Sequence, residues 1–329
     1  MCRKDKYLDR DVAALRTQVV DATISRIRPT ATTRFRRFGS GRHVWVGFLT
    51  LWLFGSPARA DTLQWLLIDF PPYSMPKPGG PESGAVDELL KRIVAAWPEK
   101  VTHEFVVANT ARIWHSLVAG EQVCYTGALH TPERAKQAYL SDVFILPPIQ
   151  LIVRRDSLDR VPMDAGHLVK LSDLIAQRNL QGVLVSGRSY GAALDAVVSG
   201  SSPDSSLSFS PGAQLGANIF EMIARGRADY TLDYDFVLAQ HQRNSSSLGQ
   251  LVALPINGAQ APLIGSFACP RTPWGRAKIK IIDRIVGQLV LDPHYRDQFE
   301  RWLTPATKVY YAPAFDNFYK DRPKVSLDD

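Results

Sequence analysis

Thr131, Pro132, Glu133 and Arg134 follow one another directly, with His130 before them and Ser141-Asp142 shortly after. A Thr can cap a helix, Pro suits the first helical position and Glu favours the first turn. Arg134 is therefore presented beside backbone N–H groups that already attract an anion. A guanidinium held there can grip a carboxylate through two parallel hydrogen bonds. The same four residues also suit a capped surface helix with a solvated arginine, so the surrounding elements must decide between the two.

Those elements alternate. Residues 63–68 form an apolar run that reads as a buried strand, and the turn-rich Asp69-Phe70-Pro71-Pro72-Tyr73 stops it. Val86, Leu89, Leu90, Ile93 and Val94 recur at helical spacing over 84–96, and a β-rich stretch follows over 101–107. Asn109 opens a helix carrying Ile113, Trp114, Leu117 and Val118, and a short strand at 123–125 leads into the Thr131 turn. This rhythm predicts an α/β lobe with a largely parallel sheet, in which Trp65, Trp97 and Trp114 are core or lobe-surface aromatics.

A second such rhythm follows 150–154. It comprises a short helix at 171–175, a strand at 182–185, a turn over 186–191 into a helix through 198, a helix at 218–224 and a strand at 230–232. The Ser-rich 200–211 stretch reads as an exposed loop. A strand at 263–268 and helices at 272–291 and 293–303 come last and have no third lobe to support them.

The first sixty residues differ from the rest. Arg34, Arg36, Arg37, Arg42 and His43 precede an apolar run over 44–55, and Ser56-Pro57-Ala58-Arg59-Ala60 offers small residues around a cleavage site. A secretory signal peptide cleaved after Ala60 is expected, preceded by an unusually long polar extension. The apolar run is shorter than the roughly 20 residues a membrane span needs. Of the 39 basic and 32 acidic residues in the whole chain, 12 and 4 lie in 1–60, so the remainder is close to −1. The basic balance thus belongs to the leader and gives no support for a nucleic-acid partner.

Cys124 and Cys269 remain after the leader. In an exported chain they suggest a disulfide, with two buried thiols as the alternative. No Cys-x-x-Cys and no His pair at ligand spacing occurs, and neither a metal nor a cofactor is expected.

Taken in order, the strand ending in Phe70-Pro71-Pro72-Tyr73, Gly84 with Asp87, Thr131-Pro132-Glu133-Arg134 with Ser141-Asp142, Gly226-Arg227-Ala228-Asp229, and the returning strand and helices resemble type II periplasmic solute-binding proteins of the amino-acid-binding kind. Gly187-Arg188-Ser189-Tyr190-Gly191 with Asp195, and a cysteine before the Thr-x-x-Arg helix, look closer to a less characterised proteobacterial branch. The resemblance implies an α/β fold of two lobes, each a mixed sheet flanked by helices, with a ligand cleft between them. It divides the chain into 61–154 (first part of lobe 1), 155–257 (lobe 2) and 258–329 (C-terminal part of lobe 1). Hinge crossings then fall near 154–156 and 255–261. Cys124 and Cys269 come into the same lobe, where a Cys124–Cys269 disulfide is expected.

The resemblance also assigns roles. Arg134 would receive a ligand carboxylate. Phe70 would cover the ligand, with Tyr73 just beyond it, one ring in the cleft and one in the core. Arg188, Ser189 and Tyr190 would form the lobe-2 anion-binding turn. Two arginines on one cleft suit a ligand with more than one negative group, unless Arg188 pairs with Asp195 or Asp233. Relatives place a carboxylate for an α-amino group where Tyr234 stands here. Either Asp233 or Asp235 supplies it by a one-residue shift, or the ligand has no such group. Leu129 stands where a hydroxyl is common.

The implied function is capture of a small anionic or zwitterionic metabolite by lobe closure. The protein would act as a periplasmic monomer, for an inner-membrane ABC transporter or a sensor. The alternative is an enzyme on the same fold, such as a cyclohexadienyl-type dehydratase, with Glu133, Asp233, Asp235 or His130 as its acid.

Overall fold

The computed structural model describes residues 61–211, 217–324 and 327; the expected signal peptide and its cleavage point lie outside the described residues. From Asp61 onward the chain builds two five-stranded sheets.

The first begins with β1 (Thr62–Leu67), α1 (Ala85–Ala95), β2 (Thr102–Val107), α2 (Thr110–Val118), β3 (Val123–Leu129), the short α3 (Pro132–Gln137) and β4 (Ala138–Leu146). It is completed from far down the chain by β10 (Leu263–Pro270), giving the order β2-β1-β3-β10-β4. β1 runs parallel to β2 and β3, whereas β10 is antiparallel to β3 and β4. The sheet is mixed, because only the returning strand opposes its neighbours. Leu63, Trp65 and Leu67 are buried on one face of β1 and Leu66 on the other, so the strand is covered on both faces over its second half.

Ala268 of β10 lies opposite Tyr125 of β3. The next residue along each antiparallel strand brings Cys269 to Cys124, and the two form a disulfide with Cα atoms 4.4 Å apart. The bond closes a separation of 145 residues and ties the late strand to the early one. The C-terminal α8 (Pro273–Leu289) then packs on β10 and β4, and α9 (Pro293–Glu300) on α1.

The second sheet contains β5 (Gln150–Arg154), β6 (Gly182–Val185), β7 (Leu207–Ser210), β8 (Tyr230–Asp233) and β9 (Leu251–Leu254), in the order β7-β6-β8-β5-β9. Its helices are α4 (Leu171–Gln177), α5 (Ala192–Ser199), α6 (Ala217–Ala224) and α7 (Asp235–Asn244). β5 pairs with β8 and β9, so the chain leaves the first sheet at 147–149 rather than near 154–156. It returns between β9 and β10.

Two further expectations are corrected. Residues 207–210 lie in a strand, not an exposed loop: they pair in parallel with β6 at the sheet edge, where polar Ser208 and Ser210 are tolerated and Phe209 stays exposed. The chain also ends in a helix not anticipated from the sequence, α10 (Pro305–Asp321), capped by Thr304. Among the described residues no helix is long and apolar enough to cross a membrane.

Candidate functional site

β1 ends at a tight turn in which the backbone N–H groups of Tyr73 and Ser74 both donate to the Phe70 carbonyl. The buried Asp87 carboxylate holds the loop behind it, accepting from Ser74 Oγ (2.8 Å), Met75 N (2.7 Å) and Gly84 N (3.2 Å). Gly84 is needed for space, since a Cβ there would stand 2.2 Å from the Tyr73 carbonyl oxygen. The turn presents Phe70 to the cleft. Tyr73 stays buried with its hydroxyl donating to the Phe299 carbonyl (3.3 Å), and only part of its ring reaches the cavity wall.

α3 starts as the sequence suggests. Thr131 Oγ1 accepts from Arg134 N (3.2 Å), and Pro132 occupies the first turn. This fixes the backbone from which the Arg134 side chain crosses the cleft. Its Nη2 donates to the carbonyl of Gly187 (2.8 Å), in the turn after β6, and its guanidinium lies 3.6 Å from the centre of the Trp114 ring. Burial pushes the Arg134 pKa down, with Tyr125 and Asp195 partly opposing it. The hydrogen bond to Gly187 uses one of the five N–H donors of a guanidinium; the others find no protein acceptor among the described residues.

Arg188 behaves differently. Its Nη1 and Nη2 donate to the two carboxylate oxygens of Asp233 at 3.0 and 2.9 Å, in a fork with 8% and 2% side-chain exposure. Burial alone would depress this guanidinium, but Asp233 more than offsets that and holds its pKa above the ordinary arginine value. Of the two expectations for Arg188, the structure shows the internal pair. The guanidinium lies under the rings of Phe70 (5.3 Å) and Tyr234 (5.9 Å), which enclose it further.

The remaining lobe-2 residues are also engaged. Ser189 Oγ and Tyr190 N both donate to Asp195, and the Tyr190 hydroxyl accepts from Val185 N (2.8 Å). Tyr190 is buried in its own lobe, its pKa pushed up to about 12 chiefly by that burial. Neither Tyr190 nor Asp233 reaches the cavity. Asp235 accepts from Thr307 Oγ1 (2.7 Å) at the start of α10, so neither aspartate supplies the shifted carboxylate considered beside Tyr234.

What the structure does bring together is a cavity of about 60 Å³ between the sheets. Arg134, Phe70, Tyr73, Arg188, Ser189 and Tyr234 line it, as does Leu129. Thr110, Tyr125 and Thr126, which the sequence did not single out, line it as well, and so does Trp114, which was expected in the core or on the lobe surface. Thr110 and Trp114 stand four residues apart on one face of α2, a spacing legible in the sequence. Thr126 carries no such signal. The hydroxyls of Thr110 and Thr126 are buried and unpartnered among the described residues. No group of three His, Cys, Asp or Glu able to hold a metal occurs among the described residues.

No family model matches the chain, and neither does any curated protein. Solved structures do. A histidine kinase sensor domain with similarity to periplasmic binding proteins aligns with a TM-score of 0.57 at 20% identity, over 74% of this chain and 96% of its own. A mutant of ArgBP from T. maritima gives 0.56 at 19%, over 74% and 95%. The ancestral amino acid-binding protein AncCDT-1, described as a precursor of cyclohexadienyl dehydratase, gives 0.55 at 19%, over 74% and 96%. With two mixed sheets, helices on their faces and a cavity between them, the chain has the two-lobed fold of periplasmic binding proteins.

Proposed function

We propose that this protein is an exported solute-binding protein that closes on a small anionic metabolite and presents it to an inner-membrane ABC transporter or to a sensor. The observation that carries this reading is the contrast between two arginines on one cavity. Arg188 has a carboxylate fork in Asp233, while Arg134 is half-buried, stacked on Trp114 and bonded only to a neutral carbonyl. A cation partly withdrawn from water without a counter-ion favours an anion, and one bound between the lobes would supply it. The fold supports the same reading, since the ArgBP and sensor-domain structures share it. Ligands of such clefts act by shifting an open–closed equilibrium.

The carboxylates and imidazole that would serve a lyase face other partners. Asp233 holds Arg188, Asp235 accepts from Thr307, His130 Nδ1 bonds Asp142 (2.6 Å), and Glu133 is exposed in the first turn of α3. Binding without turnover is therefore favoured.

The test is to purify the protein after export, denature it and identify released metabolites by mass spectrometry, then incubate the refolded protein with each hit. A small anion recovered unchanged supports the proposal. Conversion of the hit to product, or recovery of cationic metabolites only, would overturn it.

A further inference from the structure

We infer that Arg188 is a resident stand-in for a ligand's cation: its side chain fills a cation subsite at the edge of the cavity and bars cationic ligand groups from it. This rests on the binding function proposed above and names the residue that limits what the cleft accepts. The surroundings of the guanidinium are the first reason. Its Cζ lies 5.2 Å from the centre of the Tyr190 ring, 5.3 Å from that of Phe70 and 5.9 Å from that of Tyr234, and Asp233 grips it by the fork. Aromatic faces within about 6 Å and a carboxylate fork are what a protein offers to a guanidinium that it binds. Here the chain supplies the cation itself.

Position is the second reason. Phe70 comes from the turn after β1 in one lobe, whereas Arg188, Tyr190, Asp233 and Tyr234 belong to the other. The cage is complete only where the lobes meet, as a ligand subsite would be. Phe70, Arg188 and Tyr234 line the cavity that Arg134 also lines, but Asp233 does not. Arg188 is thus what separates the Asp233 carboxylate from the space between the lobes.

Charge is the third. Among the described residues no Asp, Glu or His lines the cavity, so with Asp233 held by Arg188 no acid is left for an incoming cation. Such a group would meet two guanidiniums and bring a counter-charge to neither. Setting a like charge against the wrong ligand is a direct route to specificity. A buried ion pair adds little stability over apolar residues of equal volume, so the fork contributes more to selection than to stability.

The test is Arg188→Ala, which removes the side chain beyond Cβ and vacates a space with the shape of N-ethylguanidine. The exported variant and parent are titrated, by thermal shift and calorimetry, with ethylguanidine, its neutral isostere ethylurea, and guanidinoacetate, 3-guanidinopropionate and 4-guanidinobutyrate. Ethylguanidine is expected to bind Arg188→Ala at least tenfold tighter than ethylurea does, and to leave the parent unchanged. One guanidino acid should bind the variant at least tenfold tighter than ethylguanidine, its carboxylate reaching Arg134 while its guanidinium takes the vacated place. Adding Arg134→Ala should remove that gain and leave ethylguanidine binding as before.

Should Arg188→Ala not fold unaided, the same compounds are added during refolding from urea. Recovery with ethylguanidine but not ethylurea supports the inference, and recovery with neither, under conditions where the parent refolds, overturns it. Ethylguanidine binding with no gain from any attached carboxylate also overturns it, since the pair is then structural and sealed from the cleft. So does a parent that binds the guanidino acids as tightly as the variant. The binding function fails separately, on the parent alone, if no anion is released from the exported protein whatever Arg188→Ala binds.

Discussion

Arg134 and Gly187 stand 53 positions apart in the chain, on opposite sides of the cleft, and the guanidinium of the first donates to the carbonyl of the second at 2.8 Å. The contact exists only when the two sheets are drawn together. Gly187 has φ +72°, and a Cβ on it would lie 3.1 Å from Ala111 Cα at the start of α2. The lobe-2 turn thus seats its bare backbone on lobe 1, beside the arginine that faces the cavity.

Gly187→Ala is accordingly expected to weaken closure through the crowded seat on Ala111, and separately to cost the fold about 1–2 kcal/mol of left-handed backbone strain. Small-angle scattering should show a more open average shape with saturating ligand than the parent shows, and apparent affinity should fall several-fold. Equal compaction in both proteins would count against the seat.

The buried Arg188–Asp233 fork makes a separate stability test. Removing one partner leaves an uncompensated buried charge, so Arg188→Met or Asp233→Leu alone should cost about 3–5 kcal/mol in urea unfolding. The double replacement should recover much of that loss. If each single change costs under 1 kcal/mol, the fork is not the internal pair described here.

Replacing Cys124 and Cys269 by Ser should cost about 2–4 kcal/mol, by freeing β10 from β3 in the unfolded chain. Comparison of oxidised and reduced parent protein by denaturant titration gives the same quantity without mutation. Identical midpoints in all three would contradict the pairing.

Acid should destabilise the lobe-1 core through His103. Its Nδ1 accepts from Trp65 Nε1 (3.0 Å), and its pKa is lowered by burial first and by Lys278 second. Because the folded pKa lies below the unfolded value near 6.5, the unfolded state binds the proton first. Stability is therefore full above that value and declines as pH falls from about 6.5 toward the folded pKa. His103→Gln, which keeps an acceptor for Trp65, should flatten this decline in the urea midpoint between pH 7 and 5. An unchanged slope would assign it to other groups.

Much of this arrangement was legible because local chemistry and global order agree. Thr131-Pro132 opens α3 as a capped helix, Thr272-Pro273 does the same for α8, and alternating apolar runs mark β1, β6 and β8. Thr304-Pro305 opens α10 in the same way, although the exposed Val309 and Tyr310 and the internal Pro313 blur its apolar stripe. β7 was hidden because an edge strand needs little apolar character, and β5 because a strand pattern does not say which sheet will take it. At the site, Arg134 stood out through its helix cap and Phe70 through the family resemblance. The Arg188–Asp233 fork joins residues 45 apart and has no local signature, and Thr126 is an ordinary strand residue whose place beside the cavity has none either.

The most direct test of the account is calorimetric titration of the exported protein and Arg134→Ala with a carboxylate recovered from the native protein. A charge-assisted pair in a closed, dry cleft should make the parent bind at least a hundredfold tighter, with both proteins showing the same circular dichroism and unliganded folding. Equal affinity in the two folded proteins would contradict the assignment of Arg134 as the anion anchor.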